Sequence, residues 1–245
     1  EPSFAHLKKP IVNTPSAEDI GVKWAKAHTE KTDAEGLAAL RALPFTEMVA
    51  TAAGYYQTRV TIDNWVLQGH PVDVFANGKQ ANIPMMVGTT KHKGTYFSEY
   101  VKYDDRTAFS KKLHVVYGSN ADSVLELYHG ETKKEIKAAG TSLVTDSWFV
   151  QPARKLLNGM TQLSSPVFQY QFSRENKKFP KFGAVHAIDI RYVFNTLENK
   201  EERPEDQALA NSVTDYWVQF ARTGDPNKKG LPKWPNYTNK HRTYL

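Results

Sequence analysis

Apolar positions along the chain form two kinds of pattern, continuous runs and helix-spaced faces. Ile83-Pro-Met-Met-Val87 is almost wholly apolar and is bounded by Gly88. A short run with so little alternation predicts a strand buried on both faces, as in a parallel sheet under helices. Val167-Phe-Gln-Tyr-Gln-Phe172 predicts a second strand, and Val60-Thr-Ile62, followed by an Asp63-Asn64 turn, is strand-like. Helical spacing is clear over residues 208–222, where Leu209, Val213, Tyr216, Trp217 and Phe220 recur at the right intervals. Thr223-Gly-Asp-Pro226 then stops that helix.

The remaining pattern adds shorter helices. The first 16 residues, with Pro2, Pro10 and Pro15, predict an irregular lead-in. Ser16-Ala-Glu-Asp19 resembles a capping box and opens a helix to about His28. Residues 31–36 read as a polar linker. Leu37-Ala-Ala-Leu-Arg-Ala-Leu43 predicts a short helix stopped by Pro44, and residues 46–53 a second. A helical turn is expected at 72–76, ended by Asn77-Gly78, and a helix start within 95–103. Helices are expected at 108–116 and at 121–128, the latter capped by Asn120. A long amphipathic helix is expected over 143–157, and Trp234-Pro-Asn-Tyr237 predicts an aromatic turn in the tail. No internal repeat is visible. The fold class is therefore α/β, but with few strands for its length, as in part of a larger fold.

Composition narrows the function. The 245 residues suffice for a sizeable core, and 40% hydrophobic with 12% aromatic residues marks a globular chain. The net charge of +6 comes from dispersed lysines, some in turn-like stretches such as Thr132-Lys-Lys-Glu-Ile-Lys137. No basic helix carries interleaved aromatics, so no nucleic-acid partner is expected. There is no cysteine, hence no disulfide, thiolate metal site or Cys nucleophile. His70, His114 and His129 lack metal-ligand spacing, so no metal or other cofactor is expected. No apolar run reaches membrane-spanning length.

One stretch carries candidate chemistry. Gly183-Ala-Val-His-Ala-Ile-Asp-Ile-Arg-Tyr-Val-Phe194 sets His186 among small residues, after a strand and a polar loop and before a helical segment through Phe194. Loops after strands are where α/β enzymes place catalytic groups, so His186 is a candidate general base. The loop Gly88-Thr-Thr-Lys-His-Lys-Gly94, after the other clear strand, is expected at the same sheet edge. Its His92 is expected to face solvent. Trp65, Tyr96, Phe97 and Tyr100 are pocket candidates, with core packing the plainer expectation.

These stretches resemble the type-B carboxylesterase and cholinesterase family of α/β-hydrolases. Phe220-Ala-Arg-Thr-Gly-Asp-Pro-Asn227 with Trp234-Pro-Asn-Tyr237 is the most specific match. The His186 segment looks like the family's catalytic-histidine segment. Ile83-Pro-Met-Met-Val-Gly-Thr-Thr-Lys-His-Lys-Gly94 resembles the segment bearing its catalytic acid. Leu37-Ala-Ala-Leu-Arg-Ala-Leu-Pro44 and Thr145-Asp146 also fit. The resemblance runs from about residue 16 to the end. It implies that residues 1–245 are the C-terminal part of a single α/β-hydrolase domain, a mostly parallel sheet flanked by helices, incomplete without an upstream portion. It also implies a small-molecule carboxylic ester as substrate, hydrolysed through an acyl-enzyme.

Two departures stand out. No Gly-x-Ser-x-Gly elbow occurs in the sequence, so the nucleophile and oxyanion donors are expected on the upstream portion. At the position where the resemblance implies a catalytic acid, the residue is Lys93. A cation accepts no hydrogen bond from a histidine and stabilises no imidazolium. Pointing into the site, it depresses the pKa of His186. Glu99, Asp146 and Asp189 are the candidate substitute carboxylates, with Asp146 read as structural in the family pattern. The alternative is a catalytically silent esterase-like binding or adhesion protein.

Overall fold

The computed structural model describes residues 4–6, 15–31, 33–52, 60–97, 105–175, 180–197, 204–240, 242 and 244–245. The chain divides into two compact units, residues 1–74 and 75–245.

In the first unit, strands β1 (Phe4–His6) and β2 (Val60–Ile62) pair in parallel, Phe4 opposite Val60. The expected irregular lead-in thus contains a strand. Long-range pairing creates it, and three residues between prolines carry no local signal for it. Helix α1 (Ala17–Lys26) opens as expected, with the Ser16 hydroxyl accepting from the Asp19 N–H at 3.0 Å. Helix α2 (Ala34–Arg41) begins inside the expected linker because the Asp33 carboxylate accepts from the Glu35 and Gly36 N–H groups. Helix α3 is Phe45–Ala52. The Asp63 turn forms as read. One carboxylate oxygen accepts from Trp65, Val66 and Leu67, and these backbone bonds hold the Asp63 pKa below the usual carboxylate value. Helix α4 (Pro71–Ala76) is the expected helical turn.

The second unit is built on strands β3 (Met85–Thr90) and β4 (Val167–Phe172), parallel and in register from Met85–Val167 to Thr90–Phe172. β4 has the predicted limits. β3 starts two residues later than the apolar run and passes through Gly88, because pairing with β4 sets its ends. A glycine stands there because the Tyr170 ring packs where a side chain would begin. Alternate residues of β4 face opposite layers. Val167 packs with Leu157 and Met160 of helix α9 (Gln151–Met160). Phe168 packs with Tyr216 and Trp234, and Phe172 with Tyr192 and Ala210. Tyr216 and Ala210 lie on helix α11 (Pro204–Thr223), so the sheet sits between α9 and α11.

Helices α5 (Gly94–Phe97), α6 (Arg106–Tyr117), α7 (Ala121–Leu127) and α8 (Lys133–Thr145) lie between the strands. Phe109, Leu113, Ala121, Ile136, Ala139 and Leu143 form a second core among α6, α7 and α8. Asn120 precedes α7, but its side chain makes no capping bond. A short 3-10 turn already leads the backbone into the helix there.

The helix expected over 143–157 starts ten residues earlier. Thr132 and Glu135 make a reciprocal capping box, so Thr132-Lys-Lys-Glu-Ile-Lys137 opens α8 and is no turn. A π-helical turn (Asp146–Val150) joins α8 to α9. Pro152 explains it. Proline has no N–H to give to the Trp148 carbonyl four residues back, and its ring would collide with it. The backbone widens instead, and the Gln151 N–H reaches the Asp146 carbonyl.

Candidate functional site

Both clear strands end on the same side of the sheet, and the loops that follow them meet. The His92 N–H donates to the Ala184 carbonyl at 3.0 Å, and the Ala184 N–H donates to His92 Nδ1 at 2.9 Å. That reciprocal pair fixes the His92 proton on Nε2. His92 is half-buried and clamps the two loops together, which corrects its reading as a solvated residue. Gly183 makes the clamp possible. Its φ is +62°, and a Cβ there would overlap the His92 ring.

The β3 loop is also fastened from behind. The Gly94 N–H donates to Thr145 Oγ1 at 2.9 Å, and that hydroxyl donates to the Thr141 carbonyl. So α8 positions α5, and α5 carries Tyr96 and Phe97.

His186 lies in the turn before helix α10 (Ile190–Val193). The helical segment expected through Phe194 is thus a turn over 186–189 and one short helix. Ala187, next to His186, has φ of +66°, a left-handed conformation that non-glycine residues seldom adopt. Among the described residues, three aromatic rings stand around the imidazole. Phe97 lies edge-on with centroids 5.1 Å apart, Tyr96 at 5.9 Å, and Phe149 stacks at 6.3 Å. The Lys93 ammonium sits over the same Phe149 ring, 5.0 Å from its centroid. The His186 pKa is pushed below the ordinary histidine value, first by partial burial and then by the Lys93 charge, with Asp189 opposing.

Among the described residues, no carboxylate hydrogen-bonds His186. Asp189 accepts from the Tyr170 hydroxyl at 3.2 Å, and burial first, then the Asp189 charge, raises the Tyr170 pKa. Asp146 accepts from the Tyr128 hydroxyl at 2.8 Å, and burial first, then that bond, pushes the Tyr128 pKa up to about 12. Glu99 and Tyr100 lie outside the described residues. Tyr96, 55% exposed, is not core packing but stands with Phe97 beside the histidine. Trp65 is 86% exposed, in the first unit.

The sequence reading missed Trp148 and Phe149. The π turn carries both toward α5, where Phe97 touches each ring. Pro152 inside a helical pattern was the available signal, since its i−4 position is Trp148. A cavity of about 500 Å³ lies elsewhere, against Tyr170, Phe172, Trp217 and Trp234, and does not include His186.

Two parallel strands between helices α9 and α11, with a histidine in a loop that follows them, define an α/β architecture. The chain belongs to the carboxylesterase family, whose model matches residues 9–245. The family implies the α/β-hydrolase fold and ester hydrolysis. The sequence is 27% identical over 192 residues to para-nitrobenzyl esterase of Bacillus subtilis (strain 168), covering 75% of this chain and 38% of that protein. It is 27% identical over 225 residues to carboxylesterase 5A of Felis catus, covering 82% and 41%. It is 26% identical over 192 residues to fumonisin B1 esterase of Sphingopyxis macrogoltabida, covering 73% and 35%. The chain thus spans about two fifths of the length of the curated relatives it matches.

Proposed function

We propose that this chain forms the general-base side of a carboxylic-ester hydrolase and that His186 is the base. The observation that carries the reading is the position of His186. It stands at the carboxyl end of β4, clamped through His92 to the β3 loop and walled by aromatic rings, in a chain of the carboxylesterase family. In this reading a seryl hydroxyl and the oxyanion donors come from the upstream part of the family domain, because the present residues hold no Gly-x-Ser-x-Gly. His186 takes the seryl proton as the hydroxyl attacks the ester carbonyl and gives it to the leaving alcohol. It then deprotonates the water that attacks the acyl-enzyme and returns that proton to the seryl oxygen as the acid leaves. The chain by itself is inactive in this account. β3 forms no second strand pair among the described residues, and its free edge is where the remaining sheet would add.

A second reading has its own support. Lys93 stands where the resemblance implies an acid, and Asp146 and Asp189 are held by tyrosines. A fold kept for ligand binding without turnover has those features.

A fluorophosphonate probe applied to the full-length protein separates the two. The first reading expects covalent labelling, ester turnover, and loss of turnover by about three orders of magnitude or more in His186→Ala. It also expects Lys93→Glu to raise turnover of a neutral ester, since the acid in such triads is worth roughly four orders of magnitude. Absence of both labelling and turnover would decide for the binding protein.

A further inference from the structure

We infer that Lys93 is a substrate-recognition residue and that this site takes esters carrying a carboxylate, which the Lys93 ammonium binds beside the Phe149 ring. The inference rests on the reading of His186 as the centre of the reaction. Lys93 and His186 both lie against Phe149, the ammonium 5.0 Å from the ring centroid and the imidazole stacked at 6.3 Å. The Lys93 charge also acts on the imidazole, so an anion held by Lys93 lies within electrostatic reach of the proposed base.

Lys93 is half-buried, and among the described residues it meets no carboxylate. Among the described candidate acids, Asp189 is engaged by Tyr170 and Asp146 by Tyr128. The Phe149 face offsets part of the cost of drawing the ammonium out of water. No described protein group accepts from the ammonium's three N–H donors, and a carboxylate can do so while supplying the opposite charge. Tyr96 and Phe97 wall the same space with aromatic surface, so such a pair is less screened than one in open solvent. A cationic ester meets like charge in the same place. The expected order of preference is anionic, then neutral, then cationic esters.

The test compares p-nitrophenyl butyrate with the mono-p-nitrophenyl ester of glutaric acid on the full-length protein. Wild type should favour the anionic ester in kcat/KM. Lys93→Gln should lower the anionic-to-neutral ratio about tenfold, mainly through KM, as expected for a lost charged hydrogen bond. Lys91→Gln, on the exposed part of the same loop, should leave the ratio within about twofold. A ratio that Lys93→Gln does not move, or that Lys91→Gln moves equally, overturns the inference. If neither ester is hydrolysed, the hydrolase reading fails separately, and benzoate decides the anion site. Binding followed by calorimetry and weakened about tenfold in Lys93→Gln supports the site. No binding, or equal binding by both proteins, overturns it.

Discussion

His186 and Lys93 state the residue-scale problem in one pair of side chains. The imidazole is among aromatic rings and near a cation, and both press its pKa down. The folded value therefore lies below the unfolded one, which is about 6.5. Between the two the unfolded chain holds more protons, so this group's contribution to stability is present above about pH 6.5 and is lost as pH falls through the folded pKa. A histidine NMR titration should place the His186 midpoint below that of a free histidine. Lys93→Gln should raise it, because the charge is the second-largest cause. A midpoint unchanged by that substitution would show that Lys93 points away from the ring. The depressed value suits a base that must be neutral at physiological pH. Among the described residues, no carboxylate is hydrogen-bonded to the imidazole to hold its charged form.

Elements hold these residues in place through local bonds that can be tested singly. Gly183→Ala puts a side chain at φ +62° and against the His92 ring. It should destabilise the protein by more than about 1 kcal/mol in denaturant unfolding and open the clamp between the loops. A fully stable variant with the His92 resonance unmoved would remove the clamp from the account. Thr132→Ala deletes the capping box that begins α8 and should cost about 1 kcal/mol. That helix matters to the site because Thr145, near its end, holds the Gly94 N–H, and the π turn that follows aims Phe149 at His186. Hydrogen exchange should show the first turn of α8 fraying while the Gly94 N–H stays protected.

Across the second unit, the tail joins the layers. Trp234 is buried, stacks edge-on against Phe168 and Tyr216, and donates its indole N–H to the Gln169 carbonyl at 2.9 Å. Asn227 fixes the Trp234 backbone by accepting from its N–H at 2.7 Å and donating to its carbonyl at 3.0 Å. Tyr237 reaches across to Asn158 on α9. Thus Gly-Asp-Pro-Asn followed by Trp-Pro-Asn-Tyr works as a strap from α11 over β4, beyond the helix stop and aromatic turn that the sequence predicts. Trp234→Ala should cost about 3–5 kcal/mol in equilibrium unfolding, as for other large aromatic truncations in cores. A loss below about 1 kcal/mol would mean that the strap is dispensable.

Much of this was legible from sequence. β4 was read to the residue because a six-residue run rich in aromatic residues, bounded by Pro166 and Ser173, is a local strand signal. The α1 cap was legible because it depends only on neighbours in sequence, as was the placement of His186 after a strand. The family resemblance was legible in the same way, from spaced short motifs that local chemistry keeps together. What only tertiary structure decided depends on partners distant in sequence. β1 exists through pairing with β2, and β3 takes its limits from β4. His92 became a clamp because Ala184 is brought to it from 92 positions away. Phe149 joined the site because a proline-driven π turn rotates it toward α5. Lys93 was visible as a departure from the start, but only the packing showed it standing over a ring that also stacks on His186. Local sequence sets which conformations each segment favours. Long-range packing selects among them, and it set this site's charge and shape.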